Sequence, residues 1–589
     1  MENQWVLKQV KGDLNNLSRK TKVDELFLKI LINRDIKEEK DIIKFFNGDL
    51  NDLYEPYLMK DMEKAIRIIQ ESIDEGKNIV VYGDYDVDGV SSTVILYKGL
   101  KRCGANVTYY VPNREEEGYG MCISGIEKLK NQGAEVILTC DNGISAMAEV
   151  KYAVDQGIDV IVTDHHQPSY NILENGEKVE VLPPALAVIN PHRKGCEYPF
   201  KLLCGAAISY KFIQALYRVF NVNNKETLEL LQYAAIATVC DVVDLVDENR
   251  IIVKEGLKII NNTKSIGLSA LLKELNLLDK EIKCYNVGFN IGPCINATGR
   301  LETADISIEL FLCDDKEKAK ELANKLFILN KLRQEMTQES VDDIINRLSE
   351  NKELDRVLLI YKEDVHESIA GIVAGRVKEH FNLPTFVITK GKDMPKGSGR
   401  SIENYNMFEE LLKCKELMEK FGGHPMAAGL SLKEENIDKL RMKLNENTTL
   451  TEKDITPIIK IDNVLPESYD SSAFMNYIEQ LEPFGKGNPK PLFGAKKVQI
   501  LCANIMGKNS NVLKLKIKIK NKITNAIIFS NGIEKFKEVI GNAYGNQVLQ
   551  KLFLEETPNV YMDFIFSTDI NDFMNRRTLQ LKVKDFRVS

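Results

Sequence analysis

NIVVYGDYDVDG, residues 78 to 89, sets a short apolar run against three aspartates, and its reading decides the fold. Three further runs share the pattern: ANVTYYVPNR at 105–114, EVILTCDNG at 135–143 and DVIVTDHH at 159–166. Each is a few β-branched or aromatic residues long and stops at a carboxylate, a glycine or a proline. Amphipathic helical stretches separate them. Short apolar runs alternating with helices predict a parallel sheet with crossover helices, so the fold class is α/β. In such sheets ligands collect beyond the carboxyl ends of the strands. Those ends carry Asp86, Asp88, Asp141, Asp164, His165 and His166.

Working outward, residues 1–75 read as short polar helices, and 76–314 as the α/β lobe. A charged helix without Gly or Pro, KEKAKELANKLFILNKLRQEMTQESVDDIINRL, predicts a connector over 315–351. The βα rhythm restarts in RVLLIY and PTFVITK, giving a second lobe over 352–445 with the Gly-rich segments GSGRS and GGHPMAAG. From 456 to 589 alternation dominates (KLKIKIK, NAIIFS, VYMDFIFS) and predicts a small β-barrel. At 589 residues, 44% hydrophobic and 28% charged, the chain has the balance of a multidomain globular protein, and collagen-like or wholly disordered classes are excluded. No run reaches the length of a membrane helix, and the N-terminus lacks a signal-peptide core, so a cytoplasmic location is expected. Eleven cysteines without a CxxC pair read as reduced thiols. With a net charge of −7, affinity for nucleic acid must come from local patches and bound cations.

Asp84, Asp86 and Asp88 alternate with Tyr85 and Val87, so an extended segment would turn all three carboxylates to one side. Three such charges repel unless a cation neutralises them, and oxygen-rich clusters suit Mg²⁺ or Mn²⁺. The bland alternative is a solvated Asx-rich turn. DHH at 164–166 is more specific, because the chain has only six histidines and imidazole beside carboxylates favours Mn²⁺. Asp141 ends the run between these two motifs, where one carboxylate could bridge two metals. Asp241, after the apolar helix AAIATV, would alone be an ordinary cap. In KLKIKIK, Lys514, Lys516, Lys518 and Lys520 share one strand face, and Leu501–Ser589 holds 14 Lys+Arg against 8 Asp+Glu. A solvated outer face and a groove for single-stranded nucleic acid explain these lysines equally well.

YGDYDVDG, DNGIS, VTDHH and TVCDVVDL, in this order, resemble the four motifs of the DHH phosphoesterase superfamily. PNREEEGYGM (112–121), GFNIGPCINATGRL (288–301), GSGRS (397–401), GGHPMAAG (422–429) and EPFGKGNPKPLF (482–493) narrow the resemblance to its single-strand-specific exonuclease family. The resemblance implies a two-lobed DHH/DHHA1 core with parallel sheets joined by a long helix, plus a C-terminal OB-fold barrel. It implies two divalent cations, Mn²⁺ or Mg²⁺, held by Asp86, Asp88, Asp141, His165 and Asp241, with Asp141 bridging. Asp84 and His166 match catalytic positions beside the metals. Arg114, Arg300, Ser398, Arg400 and His424 match substrate-facing positions, and Lys514, Lys516 and Lys518 fall in the nucleic-acid-binding barrel. The chain departs from the family pattern at Cys294, where arginine is usual, and in HESIAGIVA at 366–374. The first change removes a possible phosphate contact.

The implied activity is 5′→3′ degradation of single-stranded DNA to 5′-mononucleotides, in recombination and repair. The implied partners are single-stranded DNA, single-strand-binding protein and a helicase, the chain itself acting as a monomer without a membrane. Two other readings are an oligonucleotide or cyclic-dinucleotide phosphodiesterase, which needs no barrel, and an inactive replication scaffold, which should have lost ligands.

Overall fold

A computed structural model describes residues 3–10, 12–173, 176–350, 353–507, 509–529, 531–573 and 576–589. Packing divides the chain into two units: one holds 54–243 and 255–457, the other 4–53, 244–254 and 458–589.

In the first unit the four runs form strands Asn78–Tyr82, Asn106–Tyr110, Val136–Cys140 and Asp159–Thr163, joined by Ala187–Ile189. All pairings are parallel, and the spatial order places Asn78–Tyr82 between Asn106–Tyr110 and Val136–Cys140. The chain therefore reverses its winding between Asn78–Tyr82 and Val136–Cys140, and a ligand crevice opens beyond the carboxyl ends at such a reversal. Val136 to Cys140 is buried throughout, as a strand covered on both faces must be.

The predicted connector is a single helix, Lys316–Ser349, whose 34 residues span about 50 Å. Asp315 caps it by accepting from the Lys318 amide at 2.7 Å. The predicted boundary at 351/352 lies outside the described residues. The second lobe has a five-stranded sheet in the order Lys420–His424, Ala427–Ser431, Lys396–Arg400, Thr385–Thr389, Leu358–Tyr361. Parallel pairing is confined here to Leu358–Tyr361 with Thr385–Thr389; the other pairings are antiparallel, two of them joined by short connections, while Lys396–Arg400 pairs with Ala427–Ser431 across the intervening helix Met407–Leu412 and strand Lys420–His424.

In the second unit, strands Leu492–Met506, Val512–Ile519, Lys522–Phe529, Arg576–Val588 and Val560–Phe573 pair in sequence around a barrel, which the pairing of Leu492–Met506 with Val560–Phe573 closes. Alternation sends Leu513, Leu515 and Ile517 into the core, while Lys516 faces water, with Lys514 and Lys518 half-buried on the same outer face. The helices Glu25–Ile32 and Glu39–Asn47 do not stand apart as an N-terminal domain. Phe27, Leu31, Ile42 and Phe45 share one apolar core with Phe474, Leu481 and Phe493. Buried Arg250 ties this unit together, donating to the carbonyls of Phe45, Gln480, Leu481 and Glu482.

Candidate metal centre and adjoining cavity

Asp84, Asp86 and Asp88 leave the end of Asn78–Tyr82, but the segment is not extended. Asp86 caps the helix Val87–Arg102, accepting from the amides of Asp88 at 2.9 Å and Gly89 at 3.0 Å. The chain thus turns from strand to helix within the motif, and Asp88 stands in the first helical turn. Asp88 is buried; its two oxygens accept from the Gly205 and Ala206 amides, each at 2.7 Å, at the start of the helix Gly205–Val219. Gly205 is required there, since a Cβ would lie 2.7 Å from Asp141 Cβ.

Asp141 follows Val136–Cys140 with φ +61°, a backbone region that Asp and Asn tolerate better than most residues. His165 follows Asp159–Thr163. Its Nε2 lies 3.1 Å from Asp141, 3.7 Å from Asp88 and 3.9 Å from Asp241, the residue that ends the helix Asn224–Cys240. Three overlapping groups result: Asp84, Asp86 and Asp141; Asp88, His165 and Asp241; Asp141, His165 and His166. All seven metal-type side chains singled out in the sequence therefore meet in one place.

The electrostatics are those of a site short of positive charge. Both Asp84 oxygens and Asp141 Oδ1 are buried without a well-aligned hydrogen bond, Asp141 Oδ1 facing His165 Nε2 at 3.1 Å. Burial first, and Asp86 second, push the Asp84 carboxyl up to about 8. Burial and Asp88 raise Asp86, and burial with Asp88, Asp86 and Asp84 raises Asp141 well above the carboxylate range. Orphaned carboxylate oxygens with raised affinity for protons fit a divalent cation, which removes the same repulsion.

Asp164 serves a different purpose from its neighbours. It accepts from the amides of Ile144, His165 and His166 and bonds His166 Nδ1 at 2.7 Å. Burial opposes a charged imidazole at His166, but this bond and the charge of Asp164 outweigh it and hold His166 up at about 9. The sequence reading missed Tyr119, whose hydroxyl lies 3.2 Å from His166 Nε2 and donates to the Asp141 carbonyl at 3.3 Å. Its segment, PNREEEGYGM, pointed to Arg114 alone.

Arg114, Arg300, Ser398 and Arg400 line one cavity of about 360 Å³, with Ser368, Gly371 and Lys396. Arg300 donates to the Ser368 carbonyl at 2.6 Å, and Arg400 to its neighbour Gly399 at 2.8 Å. Gly371 leaves the room: a Cβ there would sit 2.7 Å from the Arg400 guanidinium and 2.8 Å from Ser398 Oγ. Burial, then Arg114 and Arg333, lower Arg300 to about 10; of the charges lining the cavity, Lys396 pairs with Glu367 at 2.8 Å, and the three arginines supply the excess of positive charge. His424 is not among the lining residues; it is exposed, in register with Ala427, which in turn pairs with Arg400. Cys294 is buried and accepts from Asn330 Nδ2 at 3.4 Å, apart from the cavity lining.

Comparison with known proteins agrees with this architecture. Models of the DHH family N-terminal domain, the DHHA1 domain and the RecJ OB domain match residues 78–238, 354–449 and 461–585. The chain is 33% identical to the single-stranded-DNA-specific exonuclease RecJ of Bacillus subtilis over 99% of its own length and 71% of the relative's. It is 31% identical to the Haemophilus influenzae protein of the same name, over 97% and 96%. The crystal structure of Thermus thermophilus RecJ with Mn²⁺ superposes with a TM-score of 0.81 at 24% identity, covering all of this chain and 80% of that one. On the identity and coverage of these relatives, with three domain models in matching order, the chain belongs to the RecJ family.

Proposed function

We propose that this chain is a metal-dependent exonuclease that degrades single-stranded DNA 5′→3′ to 5′-mononucleotides during recombination and repair. The observation that carries the reading is the convergence of seven metal-type side chains, with orphaned carboxylate oxygens, beside a cavity lined by arginines. Asp86, Asp88, Asp141, His165 and Asp241 would hold two divalent cations, Mn²⁺ or Mg²⁺, which supply Lewis acidity and a water acidic enough to ionise near neutral pH. Relatives solved with Mn²⁺ and with Mg²⁺ support that choice.

The chain's own residues then divide the work. Asp141, shared by two of the three groups, is the candidate bridge. Asp84 keeps a proton-binding carboxyl beside the ions. His166, cationic at neutral pH because Asp164 holds it so, is set to bond a phosphate oxygen. Arg114, Arg300, Ser398 and Arg400 would grip the terminal phosphate, where planar guanidinium donors suit its oxygens. A cavity of about 360 Å³ takes a group of nucleotide size, which favours a single strand over a duplex end. His424 is assigned to the rim of that path. Lys514, Lys516 and Lys518 would bind single-stranded DNA on the barrel's outer face.

The eleven thiols are all unpaired, which suits the reducing cytoplasm. No described helix is long and apolar enough to cross a membrane. A monomer acting with single-strand-binding protein and a helicase completes the proposal.

The test is a Mn²⁺-dependent time course on matched single-stranded DNA, duplex DNA and RNA labelled at either end. Mononucleotides released first from the 5′-labelled single DNA strand are expected. Equal attack on duplex, or release from the 3′ end, overturns the assignment.

A further inference from the structure

Tyr285 and Phe289 are each 67% exposed, yet their rings stack on one another at 4.8 Å with planes 27° apart. They belong to a continuous helical stretch, Cys284–Asn286, Val287–Ile291 and Gly292–Leu301. Its middle part winds with π-type spacing, a local widening that natural helices frequently place at functional positions. A fold-stabilising role accounts for the mutual stacking but not for two aromatic faces left to water.

The same stretch runs along the candidate metal centre. At its start, the Val287 carbonyl meets Cys240 Sγ at 3.7 Å, and a Cβ on Gly292 would lie 2.4 Å from that sulfur. Cys240 precedes Asp241. Further on, Asn296 Oδ1 accepts from the Val87 amide at 3.3 Å, beside Asp86 and Asp88. Gly299 packs where a Cβ would strike the Tyr85 carbonyl at 2.4 Å, and Arg300 then enters the cavity. One rigid element thus carries, in order, the exposed rings, the contacts to the metal-binding turn and a phosphate-type guanidinium. From Phe289 to Arg300 is about 16 Å at the helical rise.

We propose that Tyr285 and Phe289 form a stacking platform for an unpaired nucleobase on the 3′ side of the phosphate bound at the metal centre. The proposal rests on the single-strand reading above and names where that substrate's bases are held. With the 5′ end in the arginine cavity and the scissile phosphate at the carboxylates, the strand leaves past the rings. A ring pair stacks on any base, so the contact selects unstacked strands without reading sequence.

The test is fluorescence anisotropy with Ca²⁺ in place of Mn²⁺, using short single strands that carry one abasic site at successive positions. For the parent protein, an abasic site at one or two positions beyond the metal-bound phosphate should weaken binding about fivefold or more. The double variant Tyr285→Ala, Phe289→Ala should bind the intact strand weaker by a similar factor and lose that positional dependence. The exchange Tyr285→Phe, Phe289→Tyr should restore both. An abasic profile unchanged by the double substitution overturns the platform, as does loss of Mn²⁺ content in that variant, which would make the rings supports of Asp241. If the parent binds no single strand at all, the proposed function falls as well.

Discussion

Asp141 combines a left-handed backbone, close packing against Gly205 and a carboxyl held well above the carboxylate range. Asn accepts that backbone as readily as Asp, so Asp141→Asn removes charge with little cost in strain. We expect hydrolysis to fall below detection and Mn²⁺ content, measured by mass spectrometry on the purified variant, to drop; near-parent turnover at saturating Mn²⁺ would remove Asp141 from the bridge. The same residues set a pH dependence. Asp84, at about 8 when folded, and Asp86 and Asp141, also raised, bind protons more tightly in the folded chain than in the unfolded one. For Asp84 the folded state binds the extra proton between about 4 and 8, and Asp86 and Asp141 act in the same direction, so metal-free stability declines as pH rises through that interval. Melting curves in chelator should show Tm falling between pH 5 and pH 8, with a smaller fall in Asp84→Asn. Added Mn²⁺ should raise Tm more at pH 8 than at pH 5, because protons compete for the same oxygens. A metal-free Tm that rises over this range would contradict the assigned shifts.

At the scale of elements, the helix Gly205–Val219 supports the centre by pointing two amides at Asp88 and by the absence of a side chain at its first residue. Gly205→Ala should displace Asp141 or the helix start and lower Mn²⁺ affinity roughly 10- to 100-fold, the range for groups that support metal ligands. Circular dichroism should stay that of the parent, and isothermal titration with Mn²⁺ reads the affinity; an unchanged affinity would show that the turn yields freely. The strand Val512–Ile519 poses the other element-level question. Lys514, Lys516 and Lys518 have no ion-pair partner among the described residues, whereas Lys520 pairs with Glu467. Replacing the three by Gln should reduce the slope of log affinity against log salt for a long single strand by up to about 2, at about 0.7 per phosphate contact. A solvated outer face predicts no change in slope.

For the whole molecule, the barrel is not a detachable module. Phe27, Leu28, Ile30 and Leu31 are buried against residues beyond 457, in one apolar core. A chain ending at Pro457 would leave that surface exposed, and we expect it to bind a hydrophobic dye and to be cut within residues 4–53 by proteases that spare the full chain. Removing residues 1–53 together with 458–589 should suppress both signals. Equal protease resistance of the Pro457 truncation and the full chain would refute the shared core. Substitution on the intact protein is therefore the sound test of the barrel lysines, in place of deletion.

The α/β first lobe, the rhythm of its first four strands and the aspartates and histidines at strand ends were legible in the sequence; the fifth strand, Ala187–Ile189, was not. These features depend on periodicity and on turns a few residues long, which local physics dictates. The long helix was legible for the same reason, and the lysine alternation in KLKIKIK matches the observed faces. Tertiary structure alone decided the rest. Asp86 turns the motif into a helix because two amides need its carboxylate, so Asp84, Asp86 and Asp88 meet around a turn and not along a strand. His165 reaches Asp241 across 76 positions of sequence because the helix Asn224–Cys240 packs on the helix Val87–Arg102. The helices of residues 14–47 carry apolar faces whose spacing shows that they must be covered but not by what. Their burial with the barrel was decided by the partner they found 430 or so residues away, and no local pattern encodes that choice.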